Sequence, residues 1–203
     1  MKSALISGGA KGIGKVLTNH FLKKNYNVTI CTKTLKSYKD AEIYFKKFKN
    51  KIKIIKADVS KEKDVKEIIS KTIKKNKKID LLINNAGIYG PVGKFENNNS
   101  NEWIRSINTN LNSAFFMCKH IIPHMKKNGF GRIINISGGG ATKPMPMYSS
   151  YCATKAALVR FTETIALELN KYNITVNAVA PGFIVTDIHK STLLNKTKEN
   201  SKF

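Results

Sequence analysis

No uninterrupted apolar run in this sequence approaches the roughly eighteen residues that a membrane-crossing helix needs, so a membrane-spanning class is excluded and a soluble protein is expected. Cysteine is nearly absent as well. Cys31, Cys118 and Cys152 lie far apart with no neighbours at metal-ligand spacing, which argues against a disulfide framework and against a zinc or other metal site. The first residues, Met1 to Ser7, lack the charged, apolar and cleavable pattern of a secretory signal, and the cytoplasm is the expected compartment. Acidic residues are scarce: 13 Asp and Glu stand against 36 Lys and Arg, a formal charge of +23. Such an excess raises the question of nucleic acid or an anionic membrane as partner. The lysines are spread through 33–78 and again through 190–202, with no single basic face and no interleaved aromatics, so neither partner is expected. Phosphate-bearing small ligands remain compatible with the charge.

What the sequence does have is alternation. Short β-branched runs at Ser3–Ser7, Asn27–Thr32, Lys53–Ala57, Leu81–Asn84, Arg132–Ser137 and Thr175–Val179 are separated by stretches of helical period at Gly12–Lys24, Tyr38–Phe48, Lys61–Lys75, Asn101–Lys126 and Ser149–Tyr172. This is the pattern of βαβ units. It predicts an α/β domain with a doubly wound parallel sheet, helices on both faces, and strands apolar throughout because both faces are covered. One domain is expected over 1–188, followed by a polar and mobile tail at 189–203. Ser100 or Asn101 is the expected cap of the fourth helix.

Ser7, Gly8, Lys11, Gly12, Ile13 and Gly14 fall between the first strand and the first helix, where backbone N–H groups and a helix N-terminus hold a dinucleotide pyrophosphate. Glycine is needed there because a side chain would keep backbone and phosphate apart. The second strand ends in Cys31, Thr32 and Lys33 with no acidic residue to accept from an adenosine ribose hydroxyl, which favours NADP(H) over NAD(H). Lys33 and Lys11 are placed to face a 2′-phosphate. Asp58, beside Val59, is open to two readings, as an acceptor from the adenine amino group or as a helix cap.

Tyr151 and Lys155 stand four apart in a helical stretch and share a face. A free phenol loses its proton near pH 10, and an ammonium beside it should pull that value down into a range useful for acid–base work. Taken together, Gly8, Gly12 and Gly14, the run Asn84-Asn85-Ala86-Gly87, Asn110, the Tyr151 and Lys155 pair, and Pro181-Gly182 resemble, in order and spacing, the short-chain dehydrogenase/reductase family. The resemblance runs from Met1 to about Asp187. It implies a Rossmann-type sheet of seven parallel strands, hydride transfer between a nicotinamide and a carbonyl or alcohol carbon of a small-molecule substrate, and a homo-oligomer built on the helices at 101–126 and 149–172. Carried onto this chain, it implies Tyr151 as general acid, Lys155 as its tuner and holder of the nicotinamide ribose, and Asn110 as support for a water relay. It also places Asn85, Ala86 and Gly87 near the adenosine side and Pro181, Gly182 and Thr186 beside the carboxamide. Buried turn residues and direct ligand contacts both remain open for Asn84 and Asn85.

Two departures stand out. The family's substrate-binding serine lies thirteen residues before the tyrosine, and that position is Gly138. Ser137 is adjacent, and one extra loop residue would let it serve; otherwise Ser149 or a water would substitute. Family members also continue for several tens of residues past the Pro-Gly pair, so the final strand is expected to be missing and Thr175–Val179 to form an exposed edge. A fragment, a shortened product and a partner covering that edge all fit. The leading reading is an NADP(H)-dependent oxidoreductase acting on a carbonyl or alcohol, with a 3-oxoacyl carrier-protein substrate or a keto-sugar in view. The alternative is a nucleotide-binding remnant with little turnover, and a basic RNA-associated protein is a third, weaker possibility.

Overall fold

The computed structural model describes residues 1–182 and 184; Thr186 and the tail at 189–203 lie outside the described residues. Twelve elements alternate along the chain: β1 (Ser3–Ser7), α1 (Gly12–Lys23), β2 (Asn27–Thr32), α2 (Leu35–Tyr44), β3 (Ile52–Lys56), α3 (Glu62–Asn76), β4 (Leu81–Asn84), α4 (Ser100–Ile107), α5 (Ser113–Lys127), β5 (Gly131–Ile136), α6 (Ser149–Leu169) and β6 (Ile174–Val179). The strands form one parallel sheet in the order β3-β2-β1-β4-β5-β6. It is the doubly wound Rossmann-type architecture. Among the described residues β6 pairs only with β5, and the seventh strand of the family does not occur there.

Side chains alternate across the sheet and fill two separate cores. Leu5, Leu82 and Ile133 point to one face and pack with Val65, Ile68, Met117 and Ile121 of α3 and α5. Ala4, Ile6, Val28 and Ile30 point to the other and pack with Leu22 of α1 and Phe45. Leu5, Ile6, Ile30 and Leu82 are fully buried, and trimming any of these large side chains to alanine is expected to cost about 2–5 kcal/mol. The central strands are therefore rigid supports for the loops that leave their carboxyl ends.

The helical stretch expected at 101–126 is not one helix. Asn99, rather than Ser100 or Asn101, caps α4 by accepting from the Glu102 N–H at 3.1 Å. A π-turn at Asn108–Asn112 then separates α4 from α5. Such an insertion widens the helix by one residue per turn and is found where a side chain must be re-aimed. Here that residue is Asn110, whose amide bonds out of the helix to a neighbouring loop.

Candidate active site

Between β1 and β4 the winding of the sheet reverses, and crossovers leave in opposite directions, opening a crevice at the carboxyl ends of the strands. A cavity of about 920 Å³ occupies it, running from the β1–α1 loop to the Tyr151 phenol and the segment at 180–182.

Its first end is built mainly from backbone. Gly8, Lys11, Gly12 and Ile13 line it, and α1 begins without a side-chain cap, leaving its first N–H groups to face the crevice. The loop is close-packed: a Cβ on Gly14 would run into the Gly8 carbonyl oxygen and sit 2.6 Å from the Asn85 amide nitrogen. Asn85 itself bridges the two loops, donating to the carbonyls of Ser7 (3.0 Å) and Gly8 (3.3 Å), while the Ser7 hydroxyl accepts from the Asn85 and Ala86 N–H groups at 2.9 and 3.0 Å. Ser7 and Gly14 thus lie behind the cavity wall and shape it, whereas Asn85, Ala86 and Gly87 line it. Asn84 is buried and donates to Asn135 (2.8 Å), which donates in turn to Thr162 (2.8 Å), tying β4, β5 and α6 together.

At the end of β2, Thr32 and Lys33 reach the cavity, as do Asp58 and Val59 after β3. Lys33 and Asp58 form an ion pair at 2.7 Å. Burial works against the Asp58 charge, but Lys33 and the Ser60 hydroxyl outweigh it and hold the carboxyl below its usual value. Asp58 caps nothing: α3 begins after Lys61 with no side-chain cap.

The second end is built from side chains. Tyr151 and Lys155 lie one turn apart on α6, and both line the cavity. Lys155 is 4% exposed, and its ammonium donates to the Ile136 carbonyl at 2.8 Å. Burial pushes its pKa down to about 8. The expected lowering of the phenol does not occur in this state. Burial, with Cys152 adding to it, holds Tyr151 above the ordinary value, because the ammonium sits 5.7 Å from the ring centroid and is engaged by Ile136. Asn110 is buried behind them. It accepts from the Ile88 N–H (2.8 Å) and donates to Ile88 O (2.8 Å), Thr154 (3.0 Å) and Ser106 (3.2 Å). Gly87 stands between the two groups, its Cβ direction 3.4 Å from the Asn110 oxygen and 3.5 Å from the Lys155 nitrogen.

Ser137 lines the cavity beside Tyr151 but is not bonded to the phenol. Its hydroxyl donates to Val179 O at 3.1 Å, and no hydrogen bond joins it to Tyr151. The residue against the phenol is Gly138, whose Cβ direction points into the Tyr151 hydroxyl. Its φ of 144° and ψ of 176° belong to a region open essentially to glycine. Ser149 is engaged by Asn98 at 3.0 Å. The cavity also includes Tyr89, Arg105, Thr109, Thr142 and Lys143, none of which carried a motif. For Tyr89 the available signal was its place two residues after the Asn-Ala-Gly run. Pro181 and Gly182 line the cavity, and Thr186 lies outside the described residues. Among the described residues no group of His, Cys, Asp or Glu could hold a metal, and no helix is long and apolar enough to cross a membrane.

Residues 2–197 match the family model described as short chain dehydrogenase. The chain belongs to the short-chain dehydrogenase family. Among its relatives, 3-oxoacyl-(acyl-carrier-protein) reductase FabG of Staphylococcus epidermidis is 36% identical over 188 residues, covering 92% of this chain and 77% of that protein. The NAD-dependent glycerol dehydrogenase of Listeria innocua is 30% identical over 201 residues, covering 99% and 78%. Among solved structures, ElxO with NADP bound superimposes with a TM-score of 0.87 at 35% identity, covering all of this chain and 79% of ElxO. Membership makes this short-chain dehydrogenase an oxidoreductase acting on CH–OH or C=O groups, with a nicotinamide cofactor.

Proposed function

We propose that this short-chain dehydrogenase is an NADP(H)-dependent carbonyl reductase in which Tyr151 gives the proton. The observation that carries the reading is that the glycine loop, Lys33, Tyr151 and Lys155 line one continuous cavity, with no carboxylate at the end of β2. The residues present fit a dinucleotide. Gly8, Gly12 and Ile13 would take the pyrophosphate, Lys33 and Lys11 a 2′-phosphate, Asp58, Val59, Asn85 and Ala86 the adenosine side, and Pro181 and Gly182 the carboxamide. When bound, a reduced nicotinamide supplies a hydride to the carbonyl carbon.

The chain's own residues supply the rest. A phenol held above its usual pKa is fully protonated at neutral pH, the form a reductase needs in order to donate. Giving up that proton leaves a phenolate, which the buried Lys155 charge stabilises. Asn110, with its four hydrogen bonds, fixes the Ile88 backbone and the π-turn beside Lys155, where a water relay would replenish the proton. Self-association through α5 and α6 belongs to the same proposal; Phe115 and Leu167 stand exposed on them, and light scattering tests it.

The deciding experiment measures NADPH and NADH binding to the purified chain, then NADPH oxidation with ketones, 3-oxoacyl thioesters and keto-sugars, in wild type and Tyr151→Phe. Tight NADPH binding with turnover reduced at least about 10³-fold by Tyr151→Phe is expected. Turnover indifferent to Tyr151 would overturn the assignment of the acid. Binding without turnover on any substrate would favour a remnant.

A further inference from the structure

Replacing the serine by glycine removes one of two hydroxyls that would otherwise grip a substrate's carbonyl oxygen, and the cavity shows what stands there instead. Gly138 has a backbone conformation that disfavours any side chain, and its Cβ direction is filled by the Tyr151 hydroxyl. The hydroxyls nearest in sequence are turned elsewhere: Ser137 donates to Val179 O, Thr142 to Gly139 O and Ser150 to Tyr89 O. Beside Tyr151 the cavity is lined by the Tyr89 ring. Its centroid lies 5.0 Å from that of Tyr151, at 70° between the planes. The two phenols are thus neighbours in the wall of one cavity, where a bound carbonyl would meet them.

We propose that Tyr89 supplies the second hydroxyl, so that a substrate carbonyl oxygen is held between two phenols, Tyr151 and Tyr89. The proposal rests on the reductase reading above. The positions of both rings are fixed by adjacent links. Ile88, just before Tyr89, is held at both its N–H and its carbonyl by Asn110, and the Tyr89 carbonyl accepts from Ser150, the residue just before Tyr151. Burial, then the Tyr151 and Tyr148 charges, pushes the Tyr89 phenol up to about 12, so it keeps a proton with which to donate. The division of labour follows. The carbonyl carbon gains hydride from the reduced nicotinamide, which leaves oxidised. The oxygen gains the Tyr151 proton, and Tyr151 recovers one from water. Tyr89 transfers nothing; it donates a hydrogen bond that strengthens as negative charge develops on the oxygen. Tyr148 packs against Tyr89 at 5.1 Å but does not line the cavity, which makes it the matched control.

The test compares wild type, Tyr89→Phe, Tyr148→Phe and Tyr151→Phe, using NADPH with acetoacetyl-N-acetylcysteamine and with cyclohexanone as carbonyl probes. For Tyr89→Phe, kcat should fall about 10²-fold, with KM within about threefold of wild type and NADPH affinity unchanged, as for the loss of one donor to a developing oxyanion. Tyr148→Phe should stay within about twofold. A Tyr89→Phe variant matching Tyr148→Phe, while Tyr151→Phe is dead, would overturn this role alone and leave the reductase reading standing. A fall in NADPH affinity matching the fall in kcat would make Tyr89 a wall of the cofactor site and equally overturn the role. No Tyr151-dependent oxidation of NADPH by wild type on either probe would sink both.

Discussion

The two ends of the cavity are made differently. At the end proposed for the nucleotide the lining groups are backbone and small residues, packed so closely that a Cβ on Gly14 would meet both Gly8 and Asn85. At the catalytic end they are long side chains drawn from α6, the β4–α4 loop and the π-turn, held by buried hydrogen bonds at some cost in stability. The first end tolerates almost no added volume. The second carries desolvated charge, in the buried Lys155.

The contrast is sharpest at Lys155. Replacing it by Met should lower turnover about 10²–10⁴-fold, since the phenolate loses its counter-charge, yet it should stabilise the fold. A lysine whose pKa falls from 10.5 to about 8 on folding carries a penalty that is fully present below pH 8 and is relieved as pH rises from 8 towards 10.5. At pH 7 the penalty is about 3 kcal/mol, partly offset in the variant by the lost bond to Ile136. Denaturant melts at pH 7 should therefore favour Lys155→Met by about 1–2 kcal/mol, and the gap should close by pH 10. A variant less stable than wild type at pH 7 would show that the ammonium is structurally favourable and break the contrast. The same titration predicts that reductase turnover declines above about pH 8; a flat profile to pH 9.5 would contradict it.

At the other end, Gly14→Val should reduce cofactor affinity about 10²-fold, because the loop must move for the side chain to fit. Tyr151→Phe should leave that affinity unchanged. If calorimetry shows the two variants binding NADPH equally, the ends are not separable. Gly138→Ser tests the loss of the family serine. Its backbone conformation and the approach of Tyr151 should cost about 1–3 kcal/mol, a drop of about 2–12 °C in Tm, with turnover reduced about tenfold. Faster turnover in Gly138→Ser would mean that the loop readily accepts the family serine.

The same difference explains what was legible. The glycine loop and the sheet could be read from spacing, because backbone-built features depend on local order: strand, glycines, helix. The Tyr151 and Lys155 pair could be read because it sits on one helix face. Asn110 could be matched to the family, but its π-turn could not, since the widening is forced by contacts with Ile88 and Thr154 across the fold. The direction of the Ser137 hydroxyl could not be read for a related reason. A glycine run leaves the direction of the neighbouring hydroxyl open until Val179 on β6 captures it. Tyr89 had only its place after the Asn-Ala-Gly run to mark it, because nothing in a loop sequence says which aromatic will meet another. The lysine excess said little about the site, since Lys33, a cation that lines the cavity, is already paired with Asp58.

That pairing yields the smallest effect and the finest test. Lys33 is 57% exposed at its side chain, so its charge is screened by salt, and it is shared with the less exposed Asp58. Its contribution to a 2′-phosphate should be that of one partly screened charge-assisted contact, about 1–1.5 kcal/mol. Lys33→Ser should therefore weaken NADPH binding about five- to tenfold in low salt, less at higher ionic strength, and leave NADH untouched. Asp58→Asn should act the other way on NADPH by releasing Lys33, a gain of a fewfold. Because NADPH and NADH differ only at the 2′-position, the ratio of their affinities isolates this contact from everything else the nucleotide end does. A Lys33→Ser variant that weakens both cofactors alike would show that Lys33 serves the loop through Asp58, and the proposed preference for NADP(H) would then have to rest on Lys11.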